Sequence, residues 1–191
     1  VLLSITFLIS CGDKKEEVPD HAKIEEAQKA FDEENLDKAK SSIEYFLAQY
    51  PNNIEALYLY AQVLVSRGEL LKARIKANEI LAIDPTAAEP KAILGEIHFG
   101  RKEFSEAMDL SRQALRKNPQ LQVPYRVIGE IYLRKGKVKE SIKVLLEAYR
   151  LKADVDTLKK LSAAYIKDKN YKEAKKYLDE ALKSDDLVPG L

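Results

Sequence analysis

The sequence holds few side chains that could make or break bonds: one cysteine, Cys11, and two histidines, His21 and His98, among 191 residues. Catalysis by a nucleophile needs a base and an orienting group beside it, and a metal centre needs several ligands converging on one point. No H-E-x-x-H, C-x-x-C, G-x-S-x-G or phosphate-loop spacing occurs. His21 opens a helix-like segment. His98 stands where later segments of the same pattern carry Tyr132 and Tyr165, on an apolar face, which reads as a packed side chain. Asp and Glu are abundant, but they alternate with Lys in the manner of solvated helix faces. The expectation is that the chain is not an enzyme and holds no metal or cofactor.

Cys11 has a different setting. A single cysteine cannot form an internal disulfide, and this one lies where an apolar run, VLLSITFLIS, meets the charged stretch GDKKEE. Seven of those first ten residues are apolar, too few for a membrane-spanning helix of roughly 20 and the right length for the core of a signal peptide, roughly 7–15. Its end, Leu8-Ile9-Ser10-Cys11, resembles the lipobox of bacterial lipoproteins. That resemblance implies a signal peptide over 1–10, cleavage before Cys11, a diacylglyceryl group on its thiol, and a charged linker over 11–19. Lipid chains contribute about 0.8 kcal/mol per buried CH₂, and two or more make a stable anchor. Gly12 behind the cysteine implies the outer membrane, and Lys15-Glu16-Glu17 resembles signals for surface display. The expected address is thus the bacterial cell envelope, periplasmic or surface-facing.

With 46% hydrophobic and 33% charged residues and only seven Gly and seven Pro, the composition is that of a helical protein with a charged surface. The net charge of +1 lacks the basic excess that phosphate neutralisation demands, so nucleic acid is not an expected partner. Charge is divided unevenly: residues 1–121 carry 16 basic against 20 acidic side chains (net −4), and residues 122–191 carry 16 against 11 (net +5).

The elements that must position any site repeat along the chain. Small residues recur at Ala39, Ala73, Ala107, Ser141 and Ala174, spaced by 34, 34, 34 and 33, and prolines recur in step at Pro51, Pro85 and Pro119. The surrounding segments are ENLDKA, GELLKA, KEFSEA, GKVKES and KNYKEA, with a second small residue upstream at Ala27, Ala61, Gly95, Gly129 and Ser162. Together these resemble the tetratricopeptide repeat, a helix-turn-helix unit with this period. The family's Trp is absent, and its closing proline is replaced by Ala153 and Asp186 in the last two units. The resemblance implies an all-α fold, a right-handed α-solenoid of about five units over 20–185 (about 20–53, 54–87, 88–121, 122–154 and 155–188). Helix pairs are predicted at 21–33/36–49, 54–66/70–82, 88–100/104–116, 122–134/138–150 and 155–167/171–183. Beyond the fifth unit, SDDLVPGL is too short for a capping helix, which predicts further units or another surface over Tyr165 and Leu178.

In this family a concave groove lined by the first helix of each unit binds protein or peptide ligands. Carried onto this chain, the groove is predicted to hold Phe31, Tyr58, Gln62, Val65 and Phe99, followed by Glu130 and a basic end of Arg126, Arg134, Lys159, Lys160 and Lys167. The family's Lys/Asn/Arg carboxylate clamp is not matched, because Tyr58, Gln62, Ala92 and Glu96 stand in its places. An amphipathic or acidic-ended segment is the predicted ligand. The general pattern resembles the helical lipoproteins of outer-membrane barrel assembly and of pilus secretin assembly, which implies a lipid-anchored scaffold. The alternatives are an accessory subunit regulating a peptidoglycan or polysaccharide enzyme, or a piece of a longer soluble array.

Overall fold

The computed structural model describes residues 21–185. The predicted signal peptide, the linker and Cys11 lie outside the described residues, as does the end of the chain beyond residue 185. Among the described residues ten helices follow one another: α1 (His21–Asp32), α2 (Leu36–Gln49), α3 (Ile54–Ser66), α4 (Leu70–Ile83), α5 (Glu89–Gly100), α6 (Phe104–Lys117), α7 (Gln122–Arg134), α8 (Val138–Leu151), α9 (Val155–Lys167) and α10 (Tyr171–Asp185). They depart from the predicted bounds by at most two residues, at ends that fray.

Each pair is joined by the same turn. The residue at its centre takes a positive φ in all five units: Glu34 (57°), Gly68 (74°), Lys102 (64°), Gly136 (74°) and Lys169 (61°). The next backbone N–H then reaches back over the helix end, as in Asn35 to the Ala30 carbonyl (2.9 Å), Glu69 to Leu64 (2.8 Å) and Lys137 to Tyr132 (2.9 Å). This left-handed cap satisfies carbonyls that the helix end would leave orphaned and reverses the chain. Second helices end at Tyr50, Asp84 and Asn118, directly before the prolines that cannot continue them. Asn35, Asn53 and Asp154 open α2, α3 and α9 by accepting a backbone N–H on their side chains.

Within a pair, the small residues let the helices close. A Cβ on Gly129 would stand 2.6 Å from Leu145 Cγ, and one on Gly95 would stand 2.8 Å from Ser111 Oγ. Ala39, Ala73, Ala107 and Ser141 are fully buried at the matching places of the second helices. In the second unit Leu57, Ala61 and Leu64 are buried, as are Ala73, Ala77 and Ile80 of its second helix. In the fourth, Tyr125 and Tyr132 stay half-buried because their hydroxyls need polar neighbours; Tyr125 donates to the Pro119 carbonyl at 3.2 Å.

Successive pairs stack so that each helix touches the next, and first helices also touch first helices, α1 to α3, α3 to α5, α5 to α7 and α7 to α9. Among the described residues, second helices make no such contacts with one another. The first helices therefore crowd the inner side of a curve and the second helices fan out on the outer side, which is the geometry of a solenoid with a concave face. The curl is pronounced enough that Lys152 Nζ, in the turn after α8, lies 3.2 Å from Asp32 Oδ1 at the end of α1.

Candidate protein-binding groove

The inner face is built from residues spaced i, i+4, i+7 on each first helix, a spacing that puts them on one side of the cylinder. At the N-terminal end, α1 and α3 diverge to leave a cleft of ≈ 610 Å³ lined by Ile24, Glu25, Gln28, Lys29, Asp32 and Glu33 from α1 and by Glu55, Tyr58, Leu59 and Gln62 from α3. Ile24 and Leu59 are buried and form its floor. Gln62 Nε2 donates to the Tyr58 hydroxyl at 3.3 Å, and Gln28 Nε2 donates to Asp32 Oδ1 at 3.2 Å. Burial, helped by the carboxylates of Glu89 and Glu96, pushes the Tyr58 phenol well above its ordinary pKa. It therefore acts as a neutral hydrogen-bonding group throughout the accessible pH range.

The rim of this cleft is acidic, with Glu25, Asp32, Glu33 and Glu55 against Lys29. The sequence reading missed that feature. It lay in the repeat register, since Glu55 is the second residue of its helix and Glu25 the neighbour of Ile24, but a charge on an exposed helix turn gives no sign of which cleft it will rim.

In the middle of the groove, Val65 and Phe31 are half-buried against the core. Phe99 packs on Phe104 with ring centroids 5.7 Å apart, and the Arg134 guanidinium lies over both rings at 5.1 and 5.7 Å. Burial raises the Glu96 carboxyl above its ordinary pKa, with Arg126 working against the shift.

At the C-terminal end, the cations predicted to form a basic patch are interleaved with carboxylates. Arg126 Nη1 lies 3.4 Å from Asp154 Oδ2 and 3.0 Å from Asp156 Oδ2. Lys160 reaches Glu130 at 2.8 Å and also pairs with Asp156, while Arg134 lies 3.9 Å from Glu130. Burial disfavours the Lys160 ammonium, yet its hydrogen bonds to Asp156 and Glu130 prevail and raise its pKa. Lys167 Nζ donates to the Leu133 carbonyl at 3.0 Å, and Lys159 is exposed. Three of the five cations (Arg126, Arg134 and Lys160) are thus paired with the carboxylates of Glu130, Asp154 and Asp156. The carboxylates of Asp154 and Asp156 also suit the N-terminus of α9, whose dipole favours negative charge.

His98 lies away from the groove, at the end of α5, where its Nδ1 meets Glu103 Oε2 in the turn to α6. Among the described residues no group of three or more His, Cys, Asp or Glu side chains could hold a metal ion. No described helix is long and apolar enough to cross a membrane.

Tetratricopeptide repeat models match the chain over residues 24–88, 125–155 and 160–186. The chain belongs to the tetratricopeptide repeat (TPR) family. Solved TPR folds resemble it at low identity. A thermophilic TPR protein of Thermus thermophilus superposes with a TM-score of 0.70 at 20% identity, covering 85% of this chain and 90% of that one. PilF of Pseudomonas aeruginosa gives 0.60 at 19%, covering 85% and 75%. A chain of the APC/C hetero-tetramer Cut9–Hcn1 gives 0.71 at 16%, covering 88% of this chain but 33% of the other. At such identities the likeness is one of fold, and it agrees with the stacked pairs and the inner face of first helices. No curated protein matches the chain.

Proposed function

We propose that this TPR protein is a lipid-anchored scaffold that holds a protein ligand in its concave groove and serves the assembly of a complex in the bacterial cell envelope. The observation that carries the reading is the open cleft between α1 and α3, with a buried apolar floor at Ile24 and Leu59, two amide side chains and a neutral Tyr58 hydroxyl. Apolar contact with a few oriented polar groups is what a peptide site needs. The charges give the ligand a direction. A segment lying along the groove meets an acidic rim at Glu25, Glu33 and Glu55 and exposed ammonium groups at Lys159 and Lys167 at the other end. An amphipathic segment with a basic start and an acidic finish fits this order. A ligand with only an acidic end must compete with Glu130 and Asp156 for the same cations, so apolar character supplies most of its affinity.

The tether rests on the residues Leu8-Ile9-Ser10-Cys11. Intact mass and membrane partitioning of the full-length gene product, beside a Cys11→Ala form, test it: lipid mass and membrane association are expected for the native protein alone. Equal solubility of both forms would leave the scaffold without its anchor. For the groove, Tyr58→Ala combined with Lys159→Glu is expected to abolish partner capture with helicity unchanged, and unchanged capture would move the binding surface elsewhere.

A further inference from the structure

Four polar side chains stand at one register of the inner face, Gln28, Gln62, Glu96 and Glu130, each 34 residues from the last. Three of them are occupied within the chain. Gln28 donates to Asp32 at 3.2 Å, Gln62 donates to the Tyr58 hydroxyl at 3.3 Å, and Glu130 pairs with Lys160 at 2.8 Å. Glu96, half-buried in the middle of the groove, makes no hydrogen bond or salt bridge to any of the described residues.

The two cations that act on Glu96 are Arg126 and Lys160, and both are committed elsewhere. Arg126 lies against Asp154 and Asp156, and Lys160 against Glu130 and Asp156. Burial outweighs their pull and holds the Glu96 carboxyl above its ordinary pKa, the behaviour of a charge that lacks a counter-charge. Its oxygens are still within reach of a ligand. Among the described residues Ser111 Oγ alone is a fully enclosed side-chain polar atom without a hydrogen bond, so the unbonded Glu96 oxygens keep contact with solvent. Carboxylates drawn out of water are ordinarily paired, and an unpaired one weakens the fold. An occupant of the groove that brings a cation would supply the missing partner.

We propose that Glu96 receives a lysine or arginine side chain of the peptide in the groove, which makes a basic residue the feature by which that ligand is selected. This rests on the inner face being the binding surface, as proposed above. The approach is acidic too. Glu25 and Glu55, exposed on the rim of the cleft, form no salt bridge to a described residue and attract a cation to this half of the groove. Tyr58 joins the two places: it lines the cleft, and its phenol, pushed up first by burial, also feels the Glu96 carboxylate.

The probe is a random peptide library displayed on phage, selected on the full chain and in parallel on its Glu96→Gln and Glu96→Lys forms. Enriched peptides are then synthesised with a fluorescent label and titrated by anisotropy; those that Tyr58→Ala weakens are groove ligands. Groove ligands of the native chain are expected to share a Lys or Arg at one position. Glu96→Gln should weaken them at least about tenfold with far-ultraviolet circular dichroism unchanged, and Glu96→Lys should select Asp or Glu at that position instead. Groove ligands without a shared basic position, or indifferent to Glu96→Gln, overturn the proposal and leave the groove itself standing. Absence of any ligand sensitive to Tyr58→Ala overturns the groove as the binding face, and this inference with it.

Discussion

The Ser111 hydroxyl is fully buried and, among the described residues, makes no hydrogen bond, whereas the equally buried Ser141 Oγ donates to the Gly129 carbonyl at 2.7 Å. An unsatisfied buried hydroxyl costs about 1–3 kcal/mol, and a satisfied one contributes about 1. Ser111→Ala should therefore leave stability equal or raise it by up to ~1 kcal/mol, and Ser141→Ala should lower it by ~1 kcal/mol, both read from denaturant midpoints. Glu96 offers a pH test. Its folded pKa is raised by burial, so its ionisation destabilises the fold as pH rises through the carboxylate range. Glu96→Gln should raise the melting temperature at pH 7, with the gain vanishing once pH falls below the ordinary Glu pKa; a gain independent of pH would sink the assignment. At this scale the sequence disclosed the identity of Arg126 and Lys160 but not their partners. Asp154 and Asp156 lie 28 or more residues from Arg126, a distance fixed by helix stacking, which one period of the pattern does not reveal.

The turn between the helices of each unit is one device built from two residue choices, Gly at 68 and 136 and Glu or Lys at 34, 102 and 169. A side chain at a left-handed φ is disfavoured by roughly 1–2 kcal/mol, partly offset by the greater unfolded-state freedom of glycine. Gly136→Ala is expected to destabilise by about 1 kcal/mol, and Lys169→Gly to stabilise by a few tenths up to ~1 kcal/mol, measured by thermal or urea unfolding. Nothing lies within 4 Å of a Cβ built on Gly136, so any loss there is conformational. Gly129→Ala is a contrasting case at the helix crossing, where the added methyl meets Leu145 at 2.6 Å; overpacking of this kind costs typically ~1–3 kcal/mol. The elements were legible in the sequence because their limits are set locally, by capping side chains, turn residues and prolines repeated along the chain. Tyr132, half-buried, shows what was not: an apolar stripe does not tell how far a hydroxyl must stay near the surface.

The curvature belongs to the whole molecule. It arises because first helices touch across units and second helices do not, and it brings Asp32 within reach of Lys152, 120 residues away. That exposed pair adds little stability, on the order of 0–1 kcal/mol, but it shows how far the concave face closes. Tyr58 and Gln62, which line the cleft, were named in the sequence by carrying the family's inner face onto the first helices. The acidic rim and the ion pairs of the C-terminal end were not, because both depend on where neighbouring helices diverge and which charges they then bring together. The central claim is that the ligand occupies this inner face. Its most direct test is photo-cross-linking in intact cells from benzoylphenylalanine placed at Gln62, in the cleft, beside the same probe at Ser105, exposed on α6. A discrete protein adduct from position 62 and none from position 105 is the expected result. Equal adducts from both positions, or one from position 105 alone, would contradict it.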